Sequence, residues 1–327
     1  MRPKVLVVLR RLQECIVCIR FSREKKRRAA CSPLIIILNR LADYSVFTDI
    51  FKLCNMMNHK FYGLMTLLLL SCGPREQAVS QPIVNPGGAT VVDRFSPPAG
   101  FYRRVYPAGS FQSYLRNYQL KPHNSSVHLY DGTVKARNVH AAVFDFPLLT
   151  SDLIQCADAV MKLRADYFYR QAEYESIAFT ITNGMNVPFV DFTEGKRVVV
   201  DGNHTYWKSG YGKGVGRNVY DSYLKFIYSY AGTLSLSREL VKADVQEIEA
   251  GDVFIRGGSP GHAVLVIDIA ENEKNEKIML LGQSYMPSQE FHILKSSLSI
   301  SPWYRVADGK LETPEWTFEK GSLMRFP

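Results

Sequence analysis

His262 stands where a proton carrier would be useful. It follows the turn sequence Gly-Gly-Ser-Pro-Gly at 257–261 and opens an apolar run, HAVLVIDIA, at 262–270. Imidazole titrates near neutral pH, so a histidine at the mouth of a strand can serve as a general base; the competing reading is a satisfied residue at a capped strand end. Cys156 is the second reactive side chain of interest. It sits on the apolar stripe of an expected helix, where a free cysteine is ordinarily a small core residue. Tyr206, Trp207 and Tyr211 lie in the glycine-rich stretch 203–218, which reads as a loop bordering a cleft, with rings able to stack on sugars or simply to pack. The run GYGKGVGR at 210–217 lacks the Gly-Lys-Ser/Thr ending of a phosphate loop, so no nucleotide cofactor is expected. His204, His262 and His292 are widely separated, without HxxxH or CxxC spacing, and no metal centre is expected.

The elements that must hold these residues can be read from periodicity. Ser110 is placed to cap a helix running to Leu120, and VHLYDGTVKA at 127–136 carries an Asp-Gly hairpin signal. HAAVFDFPL at 140–148 reads as a strand. The spacing of Leu153, Cys156, Val160, Leu163 and Tyr167 predicts a long helix over 151–174, with Ser151 as its N-cap and Cys156 past the first turn. Asp158 on that helix is expected to face solvent or a base such as Arg164. Strands are expected at 177–184 and 196–202 and a helix at 219–232. Strands at 251–256, 262–270 and 277–285 have short connections and so predict an antiparallel meander. Helices followed by such a sheet make an α+β domain.

Charge separates the chain into two parts. The formal net charge is +9; thirteen of the 40 Lys/Arg and four of the 31 Asp/Glu fall in residues 1–71, leaving 27 of each sign beyond. The remainder is neutral overall, which removes the main support for nucleic acid as a partner. From Met57, a short basic segment precedes an apolar run from Phe61 to Leu70 and then Ser71-Cys72, the order of a secretory signal, and the run is too short to span a bilayer. LLSC at 69–72 resembles a bacterial lipobox, which implies lipidation of Cys72. The expected organisation is a start-site artefact at 1–56, a lipoprotein signal peptide at 57–71, a Pro/Gly-rich tether at 72–98 and the α+β domain at 99–327. A lipid anchor implies an extracytoplasmic, membrane-held protein, in the outer membrane and facing periplasm or surface.

The stretch EAGDVFIRGGSPGHAVLVID resembles the C-terminal half of papain-like cell-wall hydrolases, the NlpC/P60 and CHAP families. The resemblance implies a papain-like fold in which His262 is the base for a cysteine nucleophile. It also implies that a polar residue on the next strand, Gln283 or Ser284, orients the imidazole. Cys156 is then the sole unmodified cysteine available after signal cleavage, and a thiolate paired with imidazole is expected to react below the ordinary thiol range. Gln155 is a weaker candidate as an oxyanion donor. Cys156 lies 106 residues before His262, more than compact members of those families use, and LIQCADA lacks their usual flanking residues. QCADAVMKLRADYFY, YAGTLSL and GQSYMPSQEFHIL, in that order, resemble a family of uncharacterised bacterial lipoproteins, domain of unknown function 4846. Two readings follow. One is a thiol amidase or peptidase acting on envelope amide bonds, with peptidoglycan peptides or envelope glycan as partner. The other is a non-catalytic envelope-binding lipoprotein on the same fold.

Overall fold

The computed structural model describes residues 82–202 and 204–327. The start-site, signal-peptide and Cys72 expectations lie outside the described residues. Among the described residues no helix is long and apolar enough to cross a membrane.

Residues 82–98 belong to the folded unit, which corrects their assignment to a tether. Val84 bridges to Phe95, helix α1 (Val91–Arg94) is capped by Thr90, and Val91 and Phe95 are fully buried. The glycine content builds a tight turn here: a Cβ on Gly88 would meet the Asp93 carbonyl carbon at 2.4 Å, and the Arg94 side chain donates to the Gly88 carbonyl at 2.8 Å.

The chain continues through β1 (Phe101–Arg103), α2 (Phe111–Arg116), β2 (His140–Val143) and α3 (Cys156–Arg170). It then forms β3 (Ala178–Thr180), β4 (Asn186–Pro188), α4 (Phe189–Thr193) and the hairpin β5 (Lys196–Asp201) and β6 (His204–Ser209). Helices α5 (Arg217–Tyr230) and α6 (Thr233–Glu239) follow. The last part is β-rich: β7 (Val241–Lys242), β8 (Val253–Arg256), β9 (His262–Asn272), β10 (Lys277–Gln283), β11 (His292–Leu294), β12 (Tyr304–Arg305), β13 (Leu311–Glu312), β14 (Thr317–Phe318) and β15 (Leu323–Arg325). The main sheet runs β2-β11-β10-β9-β8-β15-β7, with β1 on the far end of β9 and β12 on β10, and every pairing is antiparallel. The architecture is α+β, and the meander of β8, β9 and β10 has the order its short connections require.

Alternation along β9 divides the core. Ala263, Leu265 and Ile267 join the core cluster on the side of α2 and α3, whereas Val264 and Val266 face a second cluster with Phe254, Met279, Leu281 and Phe318. Helix α3 is nearly buried all round rather than on one stripe, because Ala157, Val160, Met161 and Leu163 meet one core while Lys162 and Asp166 pair internally. Tyr220 on α5 donates to Asp166 at 2.8 Å, which gives that buried carboxylate a second partner. Asp268 is fully buried and accepts from Arg103 (2.6 Å) and Arg116 (2.9 Å), tying β1 and α2 to the sheet.

Helix α3 is shorter than its periodicity predicted, starting at Cys156 rather than near Ser151. The reason lies in who uses the polar groups. Asp152 accepts the Ser288 amide (2.6 Å) and the Gln155 side chain (3.1 Å), which fixes a separate turn before the helix. Asp158 is buried rather than solvent-facing, and its carboxylate reaches back to the Gln155 amide at 3.0 Å as a capping-box partner. The expected 127–136 hairpin reduces to isolated bridges at His128–Val134 and Leu129–Gln289 around the Gly132 turn. Ser110 caps α2 as its position suggested, accepting from the Ser113 amide at 3.1 Å.

Candidate functional site

Cys156 is the first residue of α3, and this revises its placement past the first turn. A thiol there sits at the positive end of the helix, where the amides of the first turn have no helical acceptor. The approach to the helix is bolted to the β10–β11 connection. Ser288 Oγ donates to the Ile154 carbonyl at 2.9 Å, and Ser284 Oγ donates to the Gln289 carbonyl at 2.7 Å with Ile154 O at 3.2 Å. Cys156 is 4% exposed and unbridged. Burial pushes its thiol up to about 11; the Ala263 amide opposes, Asp158 adds to the rise, and the amides of Ala157 and Cys156 itself oppose. The expected depressed thiol is therefore replaced by a raised one, because desolvation outweighs the helix end.

His262 opens β9 opposite Arg256 and is fully buried. Its ring is enclosed by Tyr285 (centroids 4.9 Å apart), Trp316 (5.2 Å) and Phe318 (5.9 Å). Nε2 lies 2.8 Å from Gln283 Oε1, and Nδ1 is buried with no hydrogen-bond partner. Burial pulls the imidazole down to about 4, against the Gln283 hydrogen bond and the Glu315 charge, with Lys135 lowering it further. At neutral pH both the thiol and the imidazole are uncharged.

The thiol lies beside the amide of Ala263, the residue after His262, and Tyr285 touches the His262 ring while its own hydroxyl is raised by burial, by Glu315 and by the charge a Cys156 thiolate would carry. Cys156 and His262 thus meet at one end of β9, and no hydrogen bond joins Sγ to the imidazole. Of the two polar residues that could orient His262, Gln283 makes the bond. Ser284 instead serves the β10–β11 connection.

Behind Gln283 lies a pair that sequence reading missed. Gln283 Nε2 donates to Glu315 Oε2 at 2.8 Å, and Glu315 Oε1 is 2.8 Å from Lys135 Nζ, with side chains only 5% and 8% exposed. Neither residue stands in a recognisable motif: Lys135 comes from the 127–136 turn region and Glu315 from the tip between β13 and β14.

The other candidates lie apart from these groups. Within the expected loop, His204–Ser209 form strand β6 and Arg217 already begins α5, so only the residues between them are loop. Trp207 turns inward against Phe192 (6.2 Å), Tyr206 faces out at 50% exposure, and Tyr211 packs under Arg197 (5.6 Å). None of the three is among the rings around His262. The Gln155 side chain is engaged by Asp152, not directed at an oxyanion. Cavities of about 420 Å³, between β12 and β15, and about 440 Å³, lined by His123, His140, Lys135 and Lys295, are not lined by Cys156 or His262. Among the described residues no cluster of three or more His, Cys, Asp or Glu could hold a metal ion.

No curated protein and no solved structure matches the chain. A family model described as domain of unknown function (4846) matches residues 91–325, a span that takes in α3, the whole main sheet and every residue of the site. The chain belongs to that family.

Proposed function

We propose that this chain is a lipid-anchored extracytoplasmic protein with a papain-like thiol hydrolase site for amide bonds of the cell envelope. The reading is carried by one observation: a buried imidazole, held through Nε2 by Gln283, keeps Nδ1 without a partner at the strand end where the helix bearing Cys156 begins. A buried nitrogen left unpaired costs stability and calls for a reason. In the proposed reaction Sγ attacks the substrate carbonyl while Nδ1 of His262 takes the thiol proton. The first-turn amides of α3 stabilise the oxyanion. The proton then passes to the leaving amine, and water cleaves the thioester with His262 again as base. With the thiol at about 11 and the imidazole at about 4, proton transfer must accompany attack, not precede it as a standing ion pair. Peptides of peptidoglycan are the substrate class that fits an anchored envelope protein.

A second reading has its own support. Cys156 and His262 are both buried, no hydrogen bond joins them, and neither lines either of the two cavities described above. On that reading the domain binds envelope components without catalysis.

Alkylation of Cys156 by iodoacetamide in the folded full chain separates the two. A thiol pKa near 11 instead of 9.0 leaves roughly 100-fold less thiolate at pH 8, so slow alkylation is expected in either case. The hydrolase reading requires that the residual rate fall at least about tenfold in His262→Gln, because the imidazole assists the proton's departure. A rate indifferent to His262 would leave only the binding protein.

A further inference from the structure

We propose that Glu315, held by Lys135, is a positioning residue that locks the Gln283 amide and thereby fixes the tautomer of His262 with its lone pair on Nδ1. The use of that lone pair in catalysis rests on the hydrolase reading; the tautomer itself does not.

The argument runs inward from the charged end. Lys135 Nζ lies 2.8 Å from Glu315, in a site nearly closed to solvent, so the carboxylate is held in an ion pair. An ionised carboxylate has acceptors only. The Gln283 side-chain atom 2.8 Å from Glu315 must therefore be its NH2 group, and turning the amide over would set oxygen against oxygen. That orientation leaves Oε1 toward His262, at 2.8 Å from Nε2. A carbonyl oxygen accepts only, so Nε2 carries the proton. A neutral imidazole has one N–H, and Nδ1 is consequently the basic atom, buried and free of any partner. Aromatic neighbours on several sides keep the ring from adopting another pose: Phe318 lies nearly parallel to it at 21°, while Tyr285 stands at 63°. Without Glu315 the Gln283 amide would have no reason to choose between its two orientations, and His262 would follow whichever it took.

The test is the nitrogen spectrum of His262 in the full chain labelled with ¹⁵N-histidine near pH 7, the signal being assigned by its loss in His262→Gln. The native protein should show a single neutral tautomer, protonated at Nε2. Glu315→Leu removes the acceptor and should convert this to a mixture of tautomers. Lys135→Met leaves the Glu315 carboxylate as an acceptor for Gln283 and should keep the native tautomer, although it breaks the ion pair as fully as the leucine does. A role confined to that ion pair would make the two variants alike. The proposal fails if native His262 is protonated at Nδ1, a result that needs no Glu315 variant to fold, or if Glu315→Leu retains the single Nε2–H form. Where the hydrolase reading also holds, Glu315→Leu slows His262-dependent alkylation of Cys156 in proportion to the Nε2–H form lost, about twofold for an even mixture. A locked tautomer with His262-independent alkylation would keep the positioning role and reject the hydrolase.

Discussion

His262→Gln should make folding stability less sensitive to acid, by an amount that follows from the burial of the ring. In the unfolded chain His262 takes a proton near its ordinary 6.5, while in the folded protein it stays neutral down to about 4. Between those values the unfolded state binds more protons, so stability rises with pH; the contribution is complete above 6.5 and is lost as pH falls toward 4. The ring is fully buried, so solvent does not soften the effect. For this shift the loss attributable to His262 alone is about 1.4 kcal/mol by pH 5.5 and about 3 kcal/mol by pH 4. Other groups titrate in the same range. His292 is also pulled down by burial, to about 3, and works in the same direction; the buried Asp158 carboxyl is pushed up to about 8, so its contribution is present in acid and disappears as pH rises through 8. Both remain in the variant and cancel when wild type and His262→Gln are compared, apart from the smallest part of the His292 shift, which comes from His262 itself. Glutamine keeps a donor for Gln283 but cannot titrate. Urea unfolding of both proteins at several pH values from about 7 to 4 measures the gap. It should move by about 3 kcal/mol against the wild type on acidification. A gap that stays constant to within about 0.5 kcal/mol would mean that His262 is not held neutral, and the account of the site would have to be abandoned.

Asp268→Ala should be among the most damaging single changes. It leaves Arg103 and Arg116 facing a buried void, at a cost of about 3–5 kcal/mol in urea unfolding; a loss below 1 kcal/mol would contradict the pairing. Cys72→Ser should abolish incorporation of labelled lipid and shift the protein from the detergent phase to the aqueous phase, and persistent labelling would remove the anchor from the proposed function.

The parts of the fold that sequence made readable are those governed by local rules. The apolar runs bounded by Gly-Asp and by Gly-Ser-Pro-Gly marked β8 and β9, and a serine before an aromatic stripe marked α2. Local rules failed where distant groups competed for the same atoms. Ser151 and Asp152 look like a helix start, but the Ser288 amide, 136 residues on, claims the Asp152 carboxylate and delays α3 by a turn. The raised Cys156 thiol was equally illegible, since helix position is local while desolvation comes from α3 being buried on every side. Gln283 could be singled out from its place on the neighbouring strand. Glu315 could not, because nothing in sequence brings the tip between β13 and β14 over β10.

The place of β15 has a consequence for how the chain is made. It lies between β8 and β7, although 67 positions separate Leu323 from the end of β8 at Arg256. As the polypeptide emerges, β8 can find β9 within moments, but its other edge waits for the arrival of residues 323–325. Throughout that interval Val253 and Phe254, both buried in the finished protein, border an open row of backbone donors and acceptors, an invitation to pair with a stranger. Any shortening that removed β15 would make this passing hazard permanent, so a truncated form should be lost to aggregation before its chemistry could be assayed.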